Sequence, residues 1–311
     1  MSVEILTPST INEAIDLLDT HQGDSRVLAG GTDILLHLQS GKRRAKYLIN
    51  INELPLSYIR EVSGTLYIGA NTKAVEIEHH PFLQQHPRFF ECLIRACKLV
   101  GSPQIRNMAT IGGNVMNASP AGDLIPPLMV HSAKLKAMSV MGEHIVPISD
   151  FFIGPGQTVL KPNEFLVEIQ IPLSDFSRSG IPLRGIDESN LITGFLKLGG
   201  GGRERHVISI VCLAGKAKWN GAPGATGQME DIKLAIGAVA PTPLRLYRVE
   251  ELLAHRVLTL DLIEEACQVL IDEIHPIDDI RGSVEYKRLL SQSFLREFLY
   301  RVIVDSAPRN G

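Results

Sequence analysis

Two glycine pairs are the residues of this chain best suited to holding a ligand. Gly30-Gly31 lies inside Val27-Leu28-Ala29-Gly30-Gly31-Thr32-Asp33-Ile34, and Gly112-Gly113 inside Thr110-Ile111-Gly112-Gly113-Asn114. Each pair follows apolar residues and precedes small polar ones. A diphosphate needs several main-chain N–H groups converging on it at close range. Glycine has no Cβ to block the oxygens, and it reaches the φ angles that a concave run of amides requires. Thr32 and Thr110 would add hydroxyl donors. The two loops are therefore expected to form two halves of one cradle, although either pair alone also reads as a helix cap or a tight turn.

The spacing excludes the commoner nucleotide loops. No G-x-x-x-x-G-K-S/T is present, and no G-x-G-x-x-G is followed by an acidic residue about twenty positions on, so neither a P-loop nor a Rossmann fingerprint is available. Directly after the second pair, Asn114-Val115-Met116-Asn117-Ala118-Ser119-Pro120-Ala121-Gly122-Asp123 offers amide, hydroxyl and carboxylate groups suited to a polyol. Asp123 also reads as the N-cap of the apolar run Leu124 to Met129, and the two roles are compatible at different oxygens. Ser119 has neither G-x-S-x-G context nor a recognisable histidine partner, which argues against nucleophilic catalysis. No catalytic acid or base stands out.

Metal binding finds little support. The histidines show no H-x-x-x-H, and the four cysteines, Cys92, Cys97, Cys212 and Cys267, include no C-x-x-C. Cys92 and Cys97 have the gap that opens a plant-type iron–sulfur motif, but Val100 stands where the next ligand belongs. They read as reduced residues on a buried helix.

The elements that must position these loops can be read from periodicity. Val3-Glu4-Ile5 is a strand, Thr10-x-x-Glu13 opens a helix as a capping box, and Arg26 to Ala29 is a strand running into Gly30-Gly31. A helix and the strand Lys46 to Ile51 complete a small α/β unit, with a boundary near Leu54. Leu66 to Gly69 follows a Ser63-Gly64 turn. A helix over Phe89 to Val100 breaks at Gly101-Ser102-Pro103, which predicts a long ligand-binding loop through Gly112, Gly113 and Gly122. Strands at Ala133 to Met141 and Phe165 to Ile171 flank the turn Gly154-Pro155-Gly156, so residues 55–175 read as a mostly antiparallel sheet with helices on one side. A Ser/Asp/Gly/Pro-rich linker runs to about Asn190. Strands at Val207 to Leu213 and Ile232 to Ile236, and a helix from Ser283 to Val302 with Leu290, Phe294, Phe298 and Val302 at four-residue spacing, form a C-terminal domain. Gly199 to Gly202 reads equally as a flexible loop or a turn.

Composition agrees with this multi-unit picture. The chain has 311 residues, 44% hydrophobic and 21% charged, with a formal charge of -3. That is a globular composition with no positive field for nucleic acid, since the basic run is limited to Lys42-Arg43-Arg44. The Met1-Ser2-Val3-Glu4 start lacks a signal-like segment, and no apolar run reaches the ~18 residues a membrane span needs, so a cytoplasmic location and no membrane partner are expected.

Taken together, the motifs resemble the FAD-binding medium subunits of molybdenum hydroxylases, a family that includes xanthine dehydrogenase, CO dehydrogenase, nicotinate dehydrogenase and 4-hydroxybenzoyl-CoA reductase. The anchors are Ala29 to Asp33, Gln104 to Asn114 and Ser119 to Asp123. Phe151 to Gly156, Glu164 to Pro172, Ala240 to Arg245 and Arg281 to Tyr286 extend the match to nearly the whole chain. The resemblance implies an α+β protein with the vanillyl-alcohol-oxidase-like (PCMH-type) FAD-binding fold in two subdomains, residues 1–54 and 55–175. A small α+β CO-dehydrogenase-flavoprotein C-terminal domain would occupy residues 190–311.

Carried onto this sequence, the resemblance implies that Val27, Leu28, Ala29, Gly30, Gly31, Thr32, Asp33 and Ile34, with Thr110, Ile111, Gly112, Gly113 and Asn114, hold the pyrophosphate of FAD. Asp123 would meet a polar part of FAD, Leu166 and Lys197 would contact it further, Asn117 and Ser119 would meet the ribityl chain, and Ile208 would lie over the isoalloxazine. Val100 stands where NAD-using relatives place an aromatic residue beside the adenine. His206 and Val207, in the stretch Arg203 to Ser209, stand where those relatives carry acidic residues. The cysteine-rich insertion that binds a [4Fe-4S] cluster in the 4-hydroxybenzoyl-CoA reductase branch has no match. The implied partners are a molybdopterin-binding large subunit, a [2Fe-2S] small subunit and an electron acceptor such as NAD, in a hetero-oligomer of the dimer-of-heterotrimers kind. The resemblance also leaves room for an FAD subunit of a related aromatic- or acyl-CoA-directed molybdenum enzyme. Rival readings are a free-standing FAD-dependent oxidoreductase, for which no substrate domain or base is found, and a non-catalytic assembly protein, against which the intact glycine pairs argue.

Overall fold

The computed structural model describes residues 3–173, 188, 190–199, 208–220 and 227–306. The expected linker (Leu173, Glu188 and Asn190 apart), Gly200 to Gly202 and Arg203 to Val207 lie outside the described residues. The N-terminal unit runs β1 (Glu4–Leu6), α1 (Ile11–Thr20), β2 (Ser25–Leu28), α2 (Ile34–Gln39) and β3 (Tyr47–Asn50). Its three strands pair in parallel in the order β1-β3-β2. Parallel pairing requires crossovers, and α1 and α2 supply them. Thr10 Oγ1 accepts from the Glu13 N–H at 3.1 Å, as the motif predicts. The Glu13 carboxylate, however, accepts from the N–H and hydroxyl of Ser9, so the reciprocal half of the box is displaced by one residue. Ala14, Ile15 and Leu18 of α1 pack with Ile49, Ile51 and Leu54, and with Phe165 and Val167 from the second sheet. The first glycine pair leaves the carboxyl end of β2, the side on which open α/β sheets place ligands.

The second unit begins with the hairpin β4 (Ile59–Val62) and β5 (Thr65–Gly69), joined by Ser63 and Gly64, both at positive φ, which suits the twist of a two-residue turn. Helices α3 (Ala74–His79), α4 (Pro81–Gln85), α5 (Pro87–Leu99), α6 (Pro103–Arg106), α7 (Ile111–Asn117) and α8 (Ile125–Val130) follow. The strands β6 (Lys134–Ser139), β7 (Gly142–Pro147), β8 (Phe152–Gly154), β9 (Gln157–Thr158) and β10 (Phe165–Pro172) complete the unit. Its main sheet has the order β4-β5-β10-β6-β7, antiparallel throughout. Helix α5 buries Phe89, Phe90, Leu93, Ala96 and Cys97 in the central core.

The long loop expected after Gly101 is instead helical. Pro103 ends α5 but opens α6, because a missing N–H is harmless in a first turn, and the Ser102 hydroxyl caps it by accepting from the Ile105 N–H. The second glycine pair lies in the first turn of α7, with Thr110 as N-cap. The sequence expectation of an open loop there is corrected by this cap.

The third unit comprises β11 (Leu191–Gly199), β12 (Ser209–Trp219), β13 (Met229–Gly237), β14 (Leu244–Arg245), α9 (Tyr247–Leu253), α10 (Leu260–Glu273) and α11 (Val284–Ser306). The strands form an antiparallel sheet in sequence order. Helices α5 and α8 press on this sheet from the second unit, and α9, α10 and α11 pack with it in a core of their own. Cover from both sides explains why β12 is buried along nearly its full length and even hides Lys216, whose ammonium lies 4.2 Å from the Phe89 ring centre. Phe298 of α11 sits on the sheet at Gly215, where a Cβ would come within 2.4 Å of the ring. The sequence reading does not anticipate β11, α9 or α10.

Candidate functional site

A cavity of about 670 Å³ opens where the N-terminal unit meets α7, β10 and the edge of the third sheet. The two glycine loops touch along its wall. A Cβ on Gly30 would lie 1.9 Å from the Met108 carbonyl oxygen, so only glycine lets the first loop pass beneath the residues that lead into α7. Gly112 is pressed against Ala70, with its virtual Cβ 2.6 Å from the Ala70 carbonyl oxygen. Gly31 alone of the four uses a left-handed backbone, at φ +75°. The glycine requirement therefore differs from the one expected. Gly30 and Gly112 serve chain-to-chain approach, and Gly31 serves the turn.

The N–H groups of the two loops have different fates. Those of Ile111 and Gly112 donate to the carbonyls of Thr72 and Ala70, each at 2.9 Å. Gly113 donates to Thr110 Oγ1 and Asn114 to the Thr110 carbonyl, each at 3.0 Å. All four are committed inside the protein, while the Thr110 hydroxyl accepts as a cap and keeps its own O–H without an acceptor among the described residues. The expectation that this loop presents converging amides is corrected. In the first loop, by contrast, the N–H groups of Gly30, Gly31, Thr32, Asp33 and Ile34 have no acceptor among the described residues, and all five residues line the cavity. An unsatisfied run of main-chain donors facing a cleft fits a diphosphate.

Val27, Ala29, Gly112, Gly113, Asn114, Asn117 and Ser119 also line the cavity, as does Thr110. Leu28 and Ile111 do not. Ile111, the first residue of α7, is fully buried in the central core, and Leu28 supports the turn at Gly31. Val100 and Leu166 contribute buried apolar wall, and Ile208 stands 59% exposed at the rim. Asn114 Oδ1 accepts from the Leu124 N–H at 3.3 Å, and Ser119 Oγ from the Ala121 N–H at 3.3 Å, so both also shape their own loop.

Asp123 closes the far end of the cavity. Its carboxylate accepts from Lys197 Nζ at 2.5 Å and from Ser209 Oγ at 2.6 Å, and Lys197 also donates to the Leu99 carbonyl at 2.9 Å. Burial pushes the Asp123 carboxyl above its ordinary pKa, against the opposing pull of Lys197 and Ser209. The N-cap role foreseen for Asp123 is not taken up: α8 has Leu124 at its N-cap, without a side-chain bond. The Asp123–Lys197 pair instead fastens the second unit to β11 and β12.

Several cavity residues escape the sequence reading. Arg26 directly precedes the first loop, and Arg43 belongs to a basic run that composition treats only as a nucleic-acid signal. Arg43 Nη2 donates to the Gly156 carbonyl at 3.1 Å. Asn71 is buried, donates to the Ile51 carbonyl, and has an Oδ1 without a partner among the described residues, as does the buried Ser25 Oγ. Nothing in the local sequence marks Asn71 or Ser25, because their place on the wall depends on long-range packing.

The four cysteines are all buried and unpaired, and burial holds the Cys92 thiol up at about 12. Cys92 lies on α5 with its Sγ 3.3 Å from His131 Nε2. Among the described residues no group of three or more His, Cys, Asp or Glu could hold a metal ion, and no helix is long and apolar enough to cross a membrane.

Comparison with known proteins agrees with this geometry. Residues 1–174 match the family model described as the FAD binding domain in molybdopterin dehydrogenase, and residues 201–302 match the CO dehydrogenase flavoprotein C-terminal domain. The chain is 29% identical to the nicotinate dehydrogenase FAD-subunit of Eubacterium barkeri over 96% of each protein. It is 27% identical to a putative xanthine dehydrogenase FAD-binding subunit of Escherichia coli K12, over 95% of this chain and 94% of that one. Among solved structures, carbon monoxide dehydrogenase from Hydrogenophaga pseudoflava, in a form lacking the Mo-pyranopterin moiety of its molybdenum cofactor, matches with a TM-score of 0.85 at 26% identity over 98% of both chains. An α+β chain whose cavity offers a bare run of amides, and whose length is covered by these two domain models, belongs to the FAD-binding family of molybdopterin dehydrogenases and is an oxidoreductase subunit of the molybdenum hydroxylase type.

Proposed function

We propose that the chain seats FAD with its diphosphate on the amides of Gly30 to Ile34 and relays electrons within a cytoplasmic molybdenum hydroxylase. The electrons come from a molybdopterin-binding large subunit through a [2Fe-2S] small subunit and leave to an acceptor such as NAD. FAD supplies one-electron acceptance and two-electron release in one group, which suits a junction between clusters and a hydride acceptor. The observation that carries the reading is the run of five N–H groups without an acceptor among the described residues, at the place where the two glycine loops touch.

The remaining roles follow from the walls. Thr32 adds a hydroxyl beside those amides, and Asn114, Asn117 and Ser119 present polar groups to the ribityl chain. Val100 and Leu166 give apolar contact and exclude water from the planar parts of the ligand, and Ile208 covers the mouth. Lys197, on the cavity wall, retains one N–H beyond its bonds to Asp123 and Leu99 for the bound group. The work divides among residues 1–54, which carry the donor loop, 55–175, which carry α7 and the apolar wall, and 190–311, which supply Lys197 and Ile208. No residue of this chain is assigned an acid–base step.

Purification of the full chain, alone and with its neighbouring gene products, tests this. The expected result is a yellow protein with one FAD per chain that co-purifies with the two partner subunits. A chain that stays colourless after incubation with FAD contradicts it.

A further inference from the structure

The diphosphate of FAD is a dianion, and neutral amides alone supply it with no compensating charge. Helix α7 offers little help, since its first-turn N–H groups are committed to Thr72, Ala70 and Thr110. Two arginines flank the first loop instead. Arg26 is the β2 residue just before Val27, and Arg43 follows α2, the helix that the loop leads into. Both line the cavity.

Both guanidinium groups are held in place by main-chain carbonyls rather than by carboxylates. Arg26 Nη1 donates to the carbonyls of Ser25 at 2.6 Å and Gly23 at 3.3 Å, and Arg43 Nη2 to that of Gly156 at 3.1 Å. Neither has an ion-pair partner within 4.0 Å among the described residues. Arg43 is shifted below its ordinary pKa by burial and by the neighbouring Arg26 charge, with Asp33 opposing. Two like charges lining one cavity, with no carboxylate in ion-pair contact with either among the described residues, are disfavoured until an anion joins them. Each keeps donors free for it, in the planar fork that suits phosphate oxygens.

We propose that Arg26 and Arg43 clamp the FAD diphosphate from the flank of the first glycine loop, supplying the positive charge that the committed turn of α7 does not. The clamp rests on the FAD placement proposed above. It makes the diphosphate, rather than the isoalloxazine, the main source of affinity, so the site selects FAD over flavins that lack it.

The test uses the deflavinated full chain and three probes, FAD, riboflavin and ADP, with affinity read from flavin fluorescence and calorimetry over a range of NaCl. Wild-type affinity for FAD and ADP should fall steeply with salt while that for riboflavin barely changes. In an R26Q/R43Q double variant FAD affinity should drop by about 100-fold or more, at about 10-fold or more per lost charged hydrogen bond, with riboflavin affinity kept. An R26K/R43K variant should recover most of the salt dependence, and circular dichroism reports whether each variant is folded. Unchanged FAD affinity and salt slope in the double variant overturn the clamp. So does an equal loss for riboflavin, which assigns the arginines a structural role. If the glutamine variants do not fold, a wild-type FAD affinity as insensitive to salt as that of riboflavin overturns it without them. A wild-type chain that binds no FAD overturns both the clamp and the function it rests on, whereas failure of the clamp alone leaves that function standing.

Discussion

The two glycine loops have nearly the same composition and opposite duties. In the loop after β2, Gly30 to Ile34 line the cavity and their N–H groups have no acceptor among the described residues. In the first turn of α7, the N–H groups of Ile111 to Asn114 all have acceptors within the fold. The first loop is left unsatisfied so that a ligand can satisfy it, and the second is satisfied so that it can brace the first. Where each donor ends is therefore more informative than the presence of glycine. Gly30 joins the two roles, because its missing side chain is what allows the Met108 carbonyl to approach.

Substitution at that contact should have the largest effect on both loops. Gly30→Val places a Cβ where Met108 O stands and should separate the loops, costing about 4 kcal/mol or more of stability and abolishing FAD uptake, as read by thermal melting and flavin content. A variant that melts like the wild type and holds FAD would mean that the loops need not touch.

Lys197→Met is next in size, at about 3 kcal/mol, because it leaves Asp123 buried without its cation. The Asp123 carboxyl is already raised by burial, and removing Lys197 removes the largest opposing influence. A carboxyl whose folded pKa is raised favours the folded state below its unfolded pKa and loses that contribution as pH rises through the folded one. The melting deficit of the variant should therefore narrow as pH is lowered from about 8 to about 5. A deficit independent of pH over that range would locate the loss in packing instead.

Two smaller changes separate the loops more finely. Gly31→Ala forces a side chain into the left-handed region at φ +75° and should cost about 1–2 kcal/mol, with a matching loss of FAD affinity, since it distorts the donor run. Thr110→Ala removes the cap of α7 and should lower stability by about 1 kcal/mol while changing FAD affinity less than Gly31→Ala does. Isothermal titration and melting curves on the pair give the ratio, and a reversed ratio would mean that the second loop carries the ligand.

Much of this arrangement is legible in the sequence, for identifiable reasons. The small α/β unit of β1, β2 and β3 follows from short apolar runs alternating with helical patterns, and the Ser63-Gly64 turn from its residue types, although the strand β4 before that turn is not anticipated. Eighteen of the expected contact residues, all but Leu28 and Ile111, line one cavity; the glycine loops among them are marked by local motifs, whereas Val100, Leu166, Lys197 and Ile208 are implied only by the family resemblance. The helical state of α6 and α7 is misread because Pro103 and Gly112-Gly113 break helices on average, whereas here Ser102 and Thr110 cap them and turn the same residues into starts. β11 escapes notice because it is covered from both sides and shows no alternation. Arg43 and Asn71 reach the wall through packing between segments distant in sequence, whereas Ser25 and Arg26 adjoin the first loop on β2 but carry no motif of their own.

Amide hydrogen exchange on the apo and FAD-loaded chain measures the difference between the loops directly. The account predicts that Gly30 to Ile34 exchange quickly in the apo protein and become protected when FAD binds, while Ile111 to Asn114 are protected in both states. Protection gained at Ile111 to Asn114, with Gly30 to Ile34 unchanged, would contradict it.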